Sequence, residues 1–118
     1  MLRAGMSHRF SRALSPEALA LVAKVFRTLG EPLRLRLLQL LEGGEQPVGA
    51  LAERLGTTQP NVSKHLRLLL DAGLVRRRQE KNTVYYEIGD AMVFELCDLV
   101  CGRLAVRLAE QARALPRR

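Results

Sequence analysis

The feature that most constrains this chain is the very short gap between two predicted helices near its middle. The segments VGALAERL and QPNVSKHLRLLLDAG both have helical apolar spacing, and only Gly56, Thr57 and Thr58 separate them. Gly56 is suited to the left-handed conformation that ends a helix, and the Thr58 side chain is suited to cap the next helix. Such spacing is typical of a helix-turn-helix motif.

Two more helices are predicted upstream of this motif. The first begins at Ser15 and Pro16 and ends at Gly30, and the second begins at Pro32 and ends before Gly43. The second carries a broad apolar face formed by Leu33, Leu37, Leu38 and Leu41. We interpret both helices as scaffold.

A β-hairpin and a long helix are predicted downstream. The strand-like runs LVRRRQ and TVYYEI flank a polar turn in which Asn82 is expected to take a positive φ. A final helix begins near Asp90. The predicted fold is therefore mostly α (α+β): a winged helix-turn-helix with about five helices and a two-stranded β-hairpin wing.

Length and charge bound the organisation of the chain. A chain of 118 residues with 47% hydrophobic residues favours one modest core, which we place in a single domain over residues 15–115. Residues 1–14 contain three arginines and no acidic residue, so they are predicted to be a flexible basic arm. The net charge of +7 favours a polyanionic partner, either nucleic acid or an anionic membrane surface.

Several function classes fit the sequence poorly. No apolar run approaches the roughly 20 residues that span a bilayer, and the first residues lack the apolar stretch of a secretory signal, so a cytoplasmic protein without a membrane partner is expected. No glycine-rich phosphate loop, no cluster of histidines with carboxylates and no nucleophile with an evident base is found. We therefore predict that the chain is not an enzyme and requires no cofactor.

The second helix of the motif divides into an apolar face and a polar face. Val62, Leu66, Leu69 and Leu70 share the apolar face, which is expected to be buried. The polar face is predicted to contact DNA through Thr58, Gln59, Asn61, Ser63, Lys64, His65 and Arg67. Amide side chains pair with adenine and arginine with guanine, while hydroxyl and ammonium groups hold phosphates. His65 lies at the margin of the buried face, where packing or a phosphate contact is favoured over base reading, since histidine is not among the usual base-reading residues.

Four positive charges are concentrated on the predicted hairpin, at Arg76, Arg77, Arg78 and Lys81. They are expected to contact flanking phosphates or to place one arginine in the minor groove. The alternative is an ordinary solvated run of charge. Because the run directly follows the predicted recognition helix, we favour double-stranded operator DNA as the partner.

Three segments resemble the ArsR/SmtB family of bacterial winged helix-turn-helix regulators. They are FRTLGEPLRLRLLQLL, TTQPNVSKHLRLLLDAGLV and VRRRQEKNTVYYEI, and together they cover about residues 25–88. The resemblance implies a homodimer, built mainly by the first and last helices, that represses its target operon and often releases DNA when an inducer binds. The last helix agrees, since it repeats apolar residues at spacings of three and four, at Phe94, Cys97, Cys101, Leu104 and Leu108.

The chain also departs from the sensor sites that this resemblance implies. The helix before the recognition helix has no cysteine, and neither has the second helix. The two histidines, His8 and His65, both lie outside the last helix. The two standard metal sites are therefore absent, and a redox pair between the second and last helices is doubtful.

Cys97 and Cys101 are the remaining candidates for a sensor. Residues four apart on a helix have Cβ atoms about 5–6 Å apart, which is too far for an unstrained disulfide but suits a thiophilic metal or As(III). A four-sulfur site or a disulfide across a dimer is also consistent. The alternative is that both thiols simply pack in the apolar seam. In that case an organic ligand, a protein partner or the expression level would control the regulator. A winged-helix protein-interaction module remains the alternative of another class.

Overall fold

The computed structural model describes residues 13–114, which form five helices and three short strands. In chain order they are α1 (Pro16–Leu29), α2 (Pro32–Leu41), β1 (Gln46–Pro47), α3 (Val48–Leu55), α4 (Gln59–Asp71), β2 (Val75–Glu80), β3 (Thr83–Ile88) and α5 (Met92–Ala114). The predicted winged helix-turn-helix is confirmed. Residues 1–12 of the predicted basic arm and residue 115 of the predicted domain lie outside the described residues.

Side-chain caps fix where the first helices begin. The Ser15 hydroxyl accepts a hydrogen bond from the Ala18 backbone N–H at 3.1 Å, as the sequence predicts. The Glu31 carboxylate accepts one from the Leu33 N–H at 2.7 Å. Both caps satisfy N–H groups that have no partner within the helix, and in both helices a proline follows in the first turn, where its missing N–H costs nothing.

The core lies where α2, α3 and α4 meet the hairpin and the first turn of α5. It consists of Leu29, Leu37, Leu38, Leu41, Leu51, Ala52, Val62, Leu66, Leu69, Leu74, Val75, Tyr86 and Val93. The predicted apolar faces of α2 and α4 therefore both point inward. Burying a leucine of this kind stabilises the fold by about 1.5–3 kcal/mol, so these faces fix the orientation of α4.

The sheet has three strands rather than the predicted two. Its order is β1-β3-β2, and both pairings are antiparallel. The added strand is only two residues long, with Gln46 opposite Tyr86 and Pro47 opposite Tyr85. A two-residue strand has no periodicity that a sequence pattern could reveal, and Pro47 is tolerated because β1 lies at the edge of the sheet.

The hairpin turn corrects one further expectation. The residue with positive φ is Lys81, at 57°, and not Asn82. The two strands pair from Val75 opposite Ile88 to Glu80 opposite Thr83, which makes Lys81 the first of the two loop residues. The register of the strands therefore places the left-handed position on a residue that does not favour it.

Helices α1 and α5 leave apolar surface uncovered. In α1, Leu19, Leu21 and Phe26 are exposed. Every residue of α5 from Asp98 to Ala114 is exposed. None of the helices within residues 13–114 combines the length and the apolar character that spanning a membrane requires.

Candidate nucleic-acid interface

The turn before α4 has the predicted geometry. Gly56 adopts a left-handed conformation with φ 67° and ψ 34° and ends α3. The Thr58 hydroxyl accepts a hydrogen bond from the Asn61 backbone N–H at 3.3 Å and so caps α4. Together these residues turn the chain within three positions and present the first turn of α4 to solvent.

The polar face of α4 is only partly free to bind. Gln59, Ser63, Lys64 and Arg67 are exposed, whereas Asn61 and His65 are half-buried. The Asn61 amide already donates to the Thr57 hydroxyl at 3.2 Å. The Gln59 amide lies against Gly49 of α3, since a Cβ at that glycine would be 3.2 Å from the Gln59 Nε2 atom. Both predicted adenine readers therefore also support the turn.

A basic notch lies between α4 and the hairpin. It is an open depression of about 420 Å³, and its residues are Val48, Ser63, Lys64, Arg67, Leu70, Arg77, Val84 and Tyr86. Lys64, Arg67 and Arg77 form no ion pair with any other residue of the described chain. Three uncompensated cations and a hydroxyl around one concave surface favour an anion such as a backbone phosphate.

The three wing arginines do not share one environment. Side chains alternate along a strand, so Arg77 faces α4 while Arg76 and Arg78 lie on the other face of the hairpin. There Arg76 pairs with Glu87 at 3.4 Å. The strand pattern in the sequence predicts this alternation, but it does not reveal the acidic partners of Arg76 and Arg78.

Arg78 is the most heavily engaged of the three. Its guanidinium donates two hydrogen bonds to the Glu45 carboxylate, at 2.8 and 2.9 Å, and one to Glu80 at 2.6 Å. It also lies 4.7 Å from the centroid of the Tyr85 ring. The hydrogen bond from Arg78 lowers the pKa of Glu45, and its two carboxylate partners raise the pKa of Arg78. Arg78 therefore ties β2 to the segment before β1. Its predicted DNA contact, like that of Lys81 at the exposed tip, remains a prediction.

His65 is turned towards α2 rather than towards the notch. Its Nδ1 atom lies 3.0 Å from Nη1 of Arg34. Arginine is a donor only, so Nδ1 accepts and the ring is neutral. Burial is the main cause that lowers the pKa of His65; the charge of Arg34 lowers it further, against an opposing effect of Glu31, and Lys64 adds a smaller lowering effect. Sequence reasoning missed Arg34, which lies 31 residues away from His65.

The two cysteines border one cavity between α2 and α5. This cavity of about 390 Å³ is lined by Pro32, Leu35, Arg36, Leu38, Gln39, Glu42, Val93, Phe94, Cys97, Asp98 and Cys101. Cys97 is half-buried and Cys101 is exposed, and both are free thiols. Burial, followed by the neighbouring Cys101 and Asp98, raises the pKa of Cys97, which keeps this thiol protonated. No group of three or more metal-binding side chains occurs within residues 13–114.

The predicted seam of α5 divides into two parts. Phe94 and Cys97 pack against the core of their own chain. Cys101, Leu104 and Leu108 continue the same helical face beyond the core and are exposed. The structure thus brings the first part to α2, whereas a role of the second part in a dimer remains a prediction.

Comparisons with known proteins match this architecture. A family model described as a helix-turn-helix domain matches residues 29–78. The chain is 40% identical over 74 residues to a probable mercury resistance operon repressor of Streptomyces lividans, covering 63% of this chain and 59% of that protein. It is 37% identical over 91 residues to the HTH-type transcriptional regulator NmtR of Mycobacterium tuberculosis, covering 77% of this chain and 76% of the regulator.

A solved structure agrees with these sequence relatives. It is the homodimeric winged helix-turn-helix DNA-binding domain of a possible ArsR-family regulator from Mycobacterium bovis. Its TM-score is 0.72 at 33% identity, and the match covers 92% of this chain and 95% of that domain. The motif, the wing and these similarities agree with the resemblance found in the sequence. The chain belongs to the ArsR/SmtB family of winged helix-turn-helix transcriptional regulators.

Proposed function

We propose that the protein is a homodimeric, sequence-specific transcriptional repressor that binds double-stranded operator DNA in the cytoplasm and has no enzymatic activity. The observation that carries the proposal is the basic notch, in which Lys64, Arg67 and Arg77 have no acidic partner among the described residues. The core buries the apolar face of α4, which leaves the polar face of this helix and the notch exposed to solvent. Such a surface suits a major groove with its flanking phosphates.

We assign the roles within the interface from the position and the chemistry of each side chain. Arg67 is assigned to a guanine edge or a phosphate, and Gln59 and Asn61 to adenine edges. Ser63, Lys64 and Thr58 are assigned to phosphates. Arg77 is assigned to a phosphate from the wing. Arg76, Arg78 and Lys81 are assigned to more distant phosphates along the outer face and the tip of the hairpin. His65 supports α4 from behind.

The first experiment is selection of bound duplexes from a random DNA pool, followed by affinity measurements at several salt concentrations. We expect an enriched inverted repeat whose affinity falls steeply with salt, because bound phosphates release counterions. Arg77→Ala should reduce the slope of log affinity against log salt by about 1. Arg78→Ala is the comparison, since it removes the same charge from the opposite face. It should change the slope less, because Glu45 and Glu80 already neutralise that charge.

Other outcomes would assign the protein differently. An unchanged slope in Arg77→Ala would show that the notch does not hold a phosphate. No enriched duplex, together with weak binding that is insensitive to salt, would overturn the proposal in favour of a protein-interaction module.

We propose in addition that Cys97 and Cys101 form the inducer site. The supporting observation is that both thiols line the same cavity between α2 and α5. Their spacing suits a thiophilic metal or As(III), and the second pair of a homodimer would supply two further sulfur ligands. A ligand has to displace the Cys97 proton, because the pKa of this thiol is raised. Binding would then shift α5 and alter the spacing of the recognition helices.

The inducer proposal is tested on the DNA complex of the reduced protein. Arsenite, cadmium, zinc, copper(I), a persulfide and an oxidant are added in turn, and release of DNA is measured. We expect release by at least one agent from the wild type and none from the Cys97→Ser, Cys101→Ser variant. Normal release from that variant would leave the cysteines as packing residues and favour control by an organic ligand, a protein partner or expression level.

A further inference from the structure

A single side chain, Arg34, connects three helices. From α2, its Nε atom donates to the carbonyl oxygen of Thr28 at 2.6 Å, and Nη2 makes a longer contact of 3.5 Å with the carbonyl of Arg27. Both carbonyls belong to the last turn of α1. Its Nη1 atom donates to Nδ1 of His65 in α4 at 3.0 Å. The guanidinium is therefore fixed by two backbone groups and one imidazole.

The contact with α1 has a clear cause in the sequence. In a continuous helix the Thr28 carbonyl would accept from the N–H of the residue four positions later, but that residue is Pro32, which has no N–H. Arg34 supplies the missing donor. Its positive charge also lies at the C-terminal end of α1, where the helix dipole favours a cation.

The contact with α4 lies beside an open depression of about 250 Å³ between α1 and α4. Its lining residues are Lys24, Arg27, Thr28, Arg34, Leu68 and Asp71. Arg34 borders this depression and reaches His65, the residue that follows Lys64 of the basic notch. A displacement of α1 therefore has a direct polar route to α4, the helix that carries the basic notch.

We propose that Arg34 is a positioning residue for DNA binding, which through His65 holds the recognition helix α4 at a fixed angle to α1. This inference rests on the proposed function of the protein as a dimeric DNA-binding repressor. The apolar residues that α1 exposes, Leu19, Leu21 and Phe26, are available to a second copy. An angle fixed between α1 and α4 within each subunit then fixes the distance between two recognition helices, which must match half-sites about 34 Å apart.

The test compares the affinity of the dimer for a complete inverted repeat with its affinity for a single half-site, using a duplex selected from the random pool. Arg34→Lys retains a positive charge, but an ammonium group lacks the planar fork that reaches all three acceptors. We expect this variant to lose about tenfold in affinity for the complete site. The energy of a charge-assisted hydrogen bond sets the upper limit, because only the part of it that biases the orientation of α4 affects DNA binding. Its affinity for the half-site should change much less.

Two substitutions of His65 complete the experiment. In His65→Asn the amide oxygen lies near the former position of Nδ1 and is able to accept from Arg34, so the ratio of full-site to half-site affinity should be retained. His65→Leu removes the acceptor and should reduce the ratio as Arg34→Lys does. Urea unfolding establishes that each variant is folded. If Arg34→Lys does not fold, the ratio of full-site to half-site affinity in His65→Leu tests the proposal by itself.

The outcomes separate this inference from the function on which it rests. Unchanged ratios in folded Arg34→Lys and His65→Leu would overturn the positioning role while leaving a functional repressor. Equal losses on full and half-sites would also overturn it, because they would indicate a general loss of structure. Failure of the wild type to enrich any duplex would overturn the proposed function itself and, with it, the inference.

Discussion

Within the wing, strand alternation sends neighbouring arginines to opposite faces of the hairpin, and the two faces have different electrostatic surroundings. Arg77 faces α4 among other cations, whereas Arg78 is held by Glu45 and Glu80. Exposed ion pairs usually contribute little to stability, although the two parallel bonds to Glu45 have the most favourable geometry for such a pair. Equal formal charge in the sequence therefore does not mean equal availability to DNA.

At the same scale, His65 makes the stability of the fold dependent on pH. Its pKa is lowered in the folded protein, chiefly by burial, so the unfolded chain binds more protons near and below the ordinary value of 6.5. The stabilising contribution of neutral His65 is thus complete above that pH and is lost as the pH falls through the folded pKa. We expect the urea midpoint to decrease on acidification from about pH 8 to about pH 5.

His65→Asn is the control for this dependence, because it keeps an acceptor for Arg34 but does not titrate. The decrease should be smaller in this variant than in the wild type. Equal decreases in the two proteins would mean that other groups, such as the carboxylates, cause the acid sensitivity.

At the scale of elements, the sequence predicted every helix and both hairpin strands because local chemistry marks their ends. Ser15, Gly56 and Thr58 act within three or four residues of themselves, and apolar spacing identifies the buried faces. Strand β1 lacks such marks, since its pairing with β3 depends on residues about 40 positions away. The partners of Arg34 and Arg78 in other elements were missed for the same reason.

The hairpin turn offers a prediction about strain in the wing. Lys81 has φ 57°, a conformation that costs a residue with a Cβ atom roughly 1 kcal/mol, whereas Asn82 has no positive φ. We expect Lys81→Gly to leave the free energy of unfolding unchanged or to raise it by several tenths of a kcal/mol, because relief of strain offsets the entropy of glycine. Asn82→Gly relieves nothing and should destabilise by about 0.5–1 kcal/mol.

Urea unfolding of the two variants side by side measures this difference. The comparison is internally controlled, because the substitutions are adjacent and both lie in the exposed loop. A Lys81→Gly variant less stable than Asn82→Gly would contradict the described turn.

At the scale of the whole molecule, helices α1 and α5 expose many large apolar side chains. The exposed residues of α5 include Leu99, Val100, Leu104, Val106 and Leu108, and those of α1 add to them. Exposed apolar residues concentrated on two helices favour an interaction site, and the proposed homodimer would cover part of them. The sequence predicted the seam from its spacing, but not that Phe94 and Cys97 pack within their own chain.

A charge placed in the seam tests which face of α5 meets the partner. Leu104→Glu with Leu108→Glu should produce monomers in analytical ultracentrifugation and weaken binding to an inverted repeat, because two buried carboxylates would lack partners. Val106→Glu, at similar exposure on the opposite side of the helix, should remain dimeric. Dissociation of Val106→Glu alone would place the interface on that opposite face.

The exposed second half of α5 makes the state of the protein depend on its concentration. Every residue from Asp98 to Ala114 is exposed in the single chain, and an isolated helix of that length is only marginally stable in water. In the proposed homodimer, folding of this segment is therefore coupled to the association of two chains, so dilution should reduce the helix content together with the fraction of dimer. When most chains are monomeric, the concentration of dimer grows with the square of the chain concentration, and only the dimer is able to occupy an inverted repeat. A modest fall in copy number would therefore reduce occupancy of the operator by a larger factor than it reduces the amount of protein.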